Sequence, residues 1–252
     1  MKKQILIVGS GFSGMWAAVS AARLSALEGN NSLSIAVLAP VPELRVRPRF
    51  YEENVSTMVA PLTELFAELG IAFISGEAQH IDTSSKTVLY RDSNGAIAEV
   101  NWERLILATG SQTKRPPIAG LTEYAFDIDQ LDSARLFEQH LDSLVSRPST
   151  PERNTVVVCG GGFTGIELAT ELPARLRTRF GTDTKTKVIV VERGPTIGGR
   201  YSEALRNTIE EASNALDVEW RLNSEIEAID ASGVTLKNGE RIASATVCGR
   251  QG

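Results

Sequence analysis

VVVCGGGFTGIEL, Val156 to Leu168, decides how this chain is read. A strand-like apolar run meets a glycine cluster, and the residues beyond it continue with helical spacing. A turn from a strand into a helix N-terminus aims several free backbone N–H groups at one point, aided by the helix dipole, and suits a pyrophosphate. The chain opens on the same construction: ILIVGSGFSGMWAA, Ile5 to Ala18. In each copy the first glycine serves the tight turn, the second lets a diphosphate approach the backbone, and the third lets the helix pack on the strand. Those residues are Gly9, Gly11 and Gly14, then Gly160, Gly162 and Gly165. A lone GxGxxG is weak evidence, but both copies have the strand–turn–helix context that gives it value. Two such units in one chain point to two dinucleotides.

Around these turns the pattern alternates strand and helix. LSIAVLA (Leu33–Ala39) completes a first β-α-β unit, and PVPELRVRPRFYEEN reads as irregular. Residues 61–69 read as a helix with Pro61 at its start. IAFISGEAQHID is a strand; TVLYRD and AEVNW form a hairpin around Ser93-Asn94-Gly95; ERLILATGS is a buried strand. Residues 113–119 read as a linker, followed by a helix, LDSARLFEQHLDSLVS, and a breaker, RPSTPERN. The order then restarts: strand, glycine turn, the helix IELATELPARLRTRF, the strand KVIVVE, the helix SEALRNTIEEASNAL, the strand VEWRL, a meander and a last strand, SATVCG. The fold class is α/β, with two Rossmann-like units, residues 1–112 and residues 113–252 with their preceding linker helix.

Bulk properties narrow the function. The 252 residues allow one large or two modest domains, and 42% hydrophobic with 23% charged is ordinary for a soluble protein. A net charge of −5 offers no basic face for nucleic acid. Cys159 and Cys248 are the only cysteines, and His80 and His140 the only histidines, all isolated. No metal site or histidine-based triad is expected, and the histidines read as ordinary surface or packed residues. No apolar run has the length of a transmembrane segment. MKKQILIVG resembles a secretory signal, but Gly9, Gly11 and Gly14 interrupt it, so it reads as a buried strand and the protein as cytoplasmic.

An acid at the end of the second strand would hold a ribose 2′-hydroxyl. The second unit has Glu192 there, in VIVVER, farther from Gly165 than the usual ~20 residues because RLRTRFGTDTKTK is inserted. Glu192 would repel a 2′-phosphate, which favours NAD; Arg193 and Arg200 leave NADP open. Its plainer reading is a solvated acid at a strand end. In the first unit the matching residue is Ala39, so a nucleotide binds there without that carboxylate, or Glu43 reaches back.

The order GSGFSGMWAA, LILATGS (Leu105–Ser111), CGGGFTGIELATEL resembles the two-dinucleotide flavoproteins of the pyridine-nucleotide-disulfide oxidoreductase superfamily. GGGFTGIELATEL with its long insert and VVERGPTI most resembles the type II NADH dehydrogenases. The resemblance covers essentially the whole chain. It implies three-layer β-β-α units, FAD in the first and NAD(P)H in the second. Gly9, Gly11, Ser13 and Gly14 would hold the FAD diphosphate, with a second FAD contact at Thr109 and Gly110. Ala78 and Gln79 would offer backbone to adenine. Gly160, Gly162, Thr164 and Gly165 would hold NADH, and Glu167 matches a glutamate near the nicotinamide and flavin rings. Glu167 also reads as an acid easing a helix N-terminus. Hydride transfer belongs to the cofactors, and the protein supplies orientation and electrostatics. The implied acceptor is quinone-like. Arg45, Arg47 and Arg49 either steer it or form a solvated basic edge. Neither cysteine is placed for dithiol chemistry, and both are expected to be reduced.

Three features depart from the pattern. Ala39 lacks the carboxylate. Pro173 should kink or shorten its helix, at ~3 kcal/mol if unrelieved. No Gly-Asp pair occurs, although the family uses one on the strand that completes the FAD sheet, so the FAD unit reads as incomplete and the chain as C-terminally truncated. Two functional readings follow: an FAD-dependent oxidoreductase passing electrons from NADH to a quinone-like acceptor, or a non-catalytic NAD(H)-binding fragment with weak or no FAD binding. A one-cofactor reductase would leave the first glycine turn and the ATG motif without a reason. An open sheet edge makes self-association, including a homo-oligomer, compatible with the sequence. The full-length relative would be cytoplasmic or peripheral to the inner membrane face.

Overall fold

The computed structural model describes residues 3–29, 32–112, 116–199 and 201–249. The chain divides into two compact units, Met1–Val46 with Val59–Gln112, and Arg47–Met58 with Thr113–Gly252.

The first unit runs β1 (Lys3–Val8), α1 (Phe12–Leu27), β2 (Leu33–Ala39), β3 (Glu43–Arg45), β4 (Val59–Pro61), α2 (Thr63–Glu68), β5 (Ala72–Asp82), β6 (Thr87–Asp92), β7 (Ile97–Asn101) and β8 (Arg104–Leu107). Its main sheet has the order β7-β6-β5-β2-β1-β8. β5 belongs to two ladders: Ala72–Ser75 pairs parallel with β2, and Gly76–Asp82 antiparallel with β6. The apolar strands are covered on both faces, as parallel strands require. Ile7, Ile35 and Val37 pack with Met15, Ala18, Ala22, Leu62 and Phe66 of the helical layer. Leu6, Val8, Ala36 and Leu38 pack with Val88, Tyr90 and Trp102 of the meander. The layering is therefore β-β-α. Pro61 does not start a helix. It closes β4, paired with Glu43 of β3, and α2 begins at Thr63. At the end of an edge strand its missing N–H is tolerated.

The second unit contains α3 (Leu121–Tyr124), β9 (Ala125–Phe126), α4 (Leu131–Leu144), β10 (Thr155–Cys159), α5 (Phe163–Phe180), β11 (Lys187–Val191), α6 (Glu203–Ala215), β12 (Val218–Arg221), β13 (Ile226–Asp230), β14 (Gly233–Leu236), β15 (Arg241–Ala243) and β16 (Thr246–Cys248). β12-β11-β10-β16-β9 is a parallel sheet and β13-β14-β15 an antiparallel one. Val157, Cys159, Ile189, Val191 and Val247 pack against Ile226, Ile229, Val234, Leu236 and Ile242 of the antiparallel layer. The second unit thus repeats the layering of the first. In both, the strand before the glycine turn, β1 or β10, has a parallel neighbour on each side, and the turn leaves its C-terminal end.

Two expectations change in detail. α5 is not shortened by Pro173 and runs on to Phe180. Of the linker, residues 113–115 lie outside the described residues, Ile118 packs on the core and Ala119 bridges to Ala228. Among the described residues no helix is long and apolar enough to cross a membrane.

Cys159 and Cys248 are buried and form no disulfide among the described residues, and burial raises the Cys248 thiol pKa well above its ordinary value. Without reductant, both thiols are expected to react with Ellman's reagent in denaturant and hardly at all in the native protein. Fewer than two after denaturation would contradict this.

His140 joins α4 to β16 through Nε2, 2.9 Å from the Thr246 hydroxyl, and its ring lies 4.4 Å from that of Phe126. Burial, then Arg147, pushes its pKa down. The unfolded chain takes up that proton near pH 6.5, and the folded chain resists it. Stability should fall as the pH drops through about 6.5 and level off below the folded value. His140→Gln should flatten this part of the Tm–pH curve; parallel curves for the two proteins would rule His140 out as its source.

Candidate functional site

Both glycine turns have the stereochemistry that the sequence asks for. Gly9 and Gly160 take φ of 110° and 95°, which side chains rarely adopt. Their N–H groups are tied to the adjacent strand, donating to the carbonyls of Leu38 (2.8 Å) and Val191 (2.9 Å). A Cβ on Gly14 would lie 1.9 Å from the Gly9 oxygen, and one on Gly165 would lie 2.0 Å from the Gly160 oxygen. Around Gly11 and Gly162, by contrast, the space for a Cβ is open. These two glycines are the N-caps of α1 and α5, and neither helix has a side-chain cap or an acid in its first turn. The positive helix end is left for an external anion.

In the first unit a cleft of about 290 Å³ is lined by Gly11, Phe12, Ser13, Leu107, Ala108, Thr109 and Gly110. Four of the expected FAD contacts thus meet in one place, and Phe12, Leu107 and Ala108 join them. Ser10 braces the turn, its hydroxyl 3.1 Å from the Val41 carbonyl and 3.2 Å from that of Glu43. Ala39 is only 3% exposed, and the Glu43 carboxylate pairs with Arg45 at 3.0 Å instead of reaching back. Ala78 and Gln79 do not line this cleft. They sit on β5, where the register with β6 shifts between Ala78 and His80, so Gln79 is an exposed bulge residue.

In the second unit Glu192 follows β11. One carboxylate oxygen accepts from the Gly161 N–H (2.6 Å) and the other from the Gly194 N–H (2.7 Å). The acid is therefore held against the glycine turn. The space a Gly161 Cβ would take is occupied by Trp220 Cζ3 (2.8 Å away) and Glu192 Oε2 (3.0 Å away). Gly161, Gly194 and Trp220 were not singled out by the sequence; only the extra, middle glycine of the GGG run hinted at such crowding. Arg193 is exposed, and Arg200 lies outside the described residues. Thr164 is in the first turn of α5, with Glu167 one turn farther and half-buried. Burial, then the carboxylate of Glu52, pushes the Glu167 pKa up. Tyr51 is pushed up by burial, then by Glu167.

The three arginines of LRVRPRFYE do not form a free basic edge. Arg45 pairs with Glu43 (3.0 Å), Arg47 with Asp129 (2.6 Å) and Arg49 with Glu52 (2.5 Å). Such neutralised cations attract an anion weakly.

Each of the two β-β-α units thus carries an uncapped glycine turn of the dinucleotide-binding kind. Residues 3–251 match the family described as pyridine nucleotide-disulphide oxidoreductase, and the chain belongs to that family. It is 37% identical over 250 residues to an NADH dehydrogenase-like protein of Mycobacterium tuberculosis, covering 97% of this chain and 61% of the relative. It is 29% identical to the demethylphylloquinone reductase NdbB of Synechocystis, covering 95% of this chain and 58% of the relative. Its fold is that of the NDH2 of Plasmodium falciparum solved in complex with NADH, with a TM-score of 0.85, 15% identity and 100% of this chain against 55% of that one. The chain spans about three-fifths of the length of these curated relatives.

Proposed function

We propose that this chain is the dinucleotide-binding part of an NADH-dependent flavoprotein oxidoreductase, with FAD in the first unit and NADH in the second. The observation that carries the reading is the paired turn stereochemistry: the third glycine of each turn has no room for a side chain, and the second faces open space. The N–H groups at the start of α1, with Ser13, Thr109 and Gly110, would hold the FAD diphosphate and ribityl side. The bulge at Gln79 leaves backbone groups outside the ladder for adenine. The start of α5 with Thr164 would hold the NADH diphosphate, and Glu192 the adenosine ribose, favouring NADH over NADPH. Glu167, half-buried, would be the carboxyl that keeps or releases a proton beside the nicotinamide. The chemistry that a bound flavin would supply is acceptance of a hydride from the reduced nicotinamide and delivery of electrons to an acceptor. The printed names of the relatives, a demethylphylloquinone reductase and type II NADH:quinone oxidoreductases, support a quinone-type acceptor.

A second reading, an NAD(H)-binding chain that holds FAD weakly, is favoured by one observation. β8 is the outer strand of its sheet, and at its end Ile106 and Leu107, the latter lining the cleft, are 36% and 60% exposed. Equilibrium titration of the chain with FAD, followed by flavin fluorescence, separates the two. Saturable binding that Gly14→Val abolishes supports the first reading; no saturation below millimolar FAD favours the second.

A further inference from the structure

α5 carries Glu167, Glu171, Arg175 and Arg179 at intervals of four, so the four share one face of the helix. The Arg47–Met58 segment lies along this face. Arg175 donates from Nη1 to the Tyr51 carbonyl at 2.7 Å, and Arg179 pairs with Glu53 and, at 2.8 Å, with Asp142 of α4. The Glu53 carboxylate is 4.0 Å from Arg175 Nε, and Glu138 of α4 is 3.8 Å from its Nη2. Glu138 also accepts from the Val55 N–H at 3.3 Å. Phe50 and Val55 of the segment are themselves buried.

We propose that Arg175 is a positioning residue of the second nucleotide site, clamping this segment along α5 so that Tyr51 and Glu52 stand beside Glu167. The proposal rests on the reading of Glu167 as the carboxyl beside the nicotinamide. Arg175 is 1% exposed, and its Nε and Nη2 have no hydrogen-bond partner among the described residues. A buried guanidinium held by ion pairs this long adds little stability, and an apolar side chain of similar volume would be cheaper. What Arg175 holds is the better reason for it. Glu52 of the segment acts on Glu167, and Tyr51 is faced by Glu167 and Glu171 of α5 and by Glu52 and Arg49 of its own segment. Burial of Glu167 under the clamped segment, and then the Glu52 carboxylate, favour a retained proton on Glu167, and a protonated carboxyl can donate as well as accept. Arg175 thereby sets whether the site presents a donor.

The test is a pH titration of the chain with glutamate labelled at the side-chain carboxyl carbon, the Glu167 signal being assigned with Glu167→Gln. Arg175→Met should move the Glu167 midpoint down towards the ordinary carboxylate range, and Arg175→Lys, which can still donate to Tyr51, should largely restore it. An unmoved midpoint in folded Arg175→Met overturns the clamp. Should Arg175→Met fail to fold, the double variant Glu53→Gln, Arg179→Gln releases the segment from its more exposed end, and the same midpoint decides. NADH affinity near neutral pH should fall roughly 3- to 10-fold in the released variants, the scale of coupling through packed neighbours. If Glu167→Gln leaves NADH affinity and its pH dependence unchanged, the reading of Glu167 itself falls, whatever the midpoint does.

Discussion

Gly165→Ala is expected to weaken NADH binding at least about tenfold and to destabilise the second unit by roughly 1–3 kcal/mol. The new methyl group would sit 2.0 Å from the Gly160 carbonyl oxygen, a backbone atom that cannot swing aside. α5 must slide away from β10, and the N–H groups aimed at the diphosphate move with it. Each hydrogen bond lost to a charged phosphate is worth about 1.5–3 kcal/mol. Gly162→Ala separates binding from folding. Its φ of −75° and ψ of 175° suit any residue, and nothing stands within 4 Å of the added Cβ. It should keep the urea midpoint of the wild type yet lose comparable NADH affinity, because the methyl group takes the space of the ligand. Urea melts beside fluorescence titrations with NADH check both. Unchanged affinity in Gly162→Ala would mean that no diphosphate approaches this turn.

Glu192→Ala should lower NADH affinity about 10- to 100-fold, the worth of one or two hydroxyl hydrogen bonds to a charged group. NADPH affinity should hold or rise, because the carboxylate that repels a 2′-phosphate is gone. The preference for NADH would then collapse. The substitution also strips acceptors from the Gly161 and Gly194 N–H groups, so stability should drop by about 1 kcal/mol per orphaned donor. The two dissociation constants, measured side by side, decide. A variant that loses stability and keeps its NADH-to-NADPH ratio would make Glu192 a brace of the turn and no more.

What could be read from the sequence follows the range of the interactions. The glycine turns are local: a positive φ, an open N-cap and a crowded third position all lie within six residues, so Gly9 to Gly14 and Gly160 to Gly165 announce themselves. The apolar runs of β1 and β2, Ile5 to Val8 and Ile35 to Ala39, are also local, because a doubly covered strand buries both of its faces. β9 was illegible, since two residues, Ala125 and Phe126, carry no period and are strand only by pairing with β16. Arg45, Arg47 and Arg49 looked like a basic edge: the partner of Arg47, Asp129, lies far along the chain, and the near neighbours Glu43 and Glu52 pair with Arg45 and Arg49 only through the local fold. Pro173 warned of a break that the helix does not show, because tertiary packing buries that stretch with Leu172 and Leu176. At the site, Glu192 was visible from its place after a strand, whereas the N–H groups that fix its carboxylate were not.

The most direct measurement is a visible absorption spectrum of the chain after loading with FAD and gel filtration, recorded before and after anaerobic addition of NADH. The proposal predicts flavin bands that travel with the protein and bleach with NADH, and bands that need at least about tenfold more NADH to bleach in Gly165→Ala. A protein that binds NADH and carries no flavin through the column, or whose flavin bands do not respond, would contradict it.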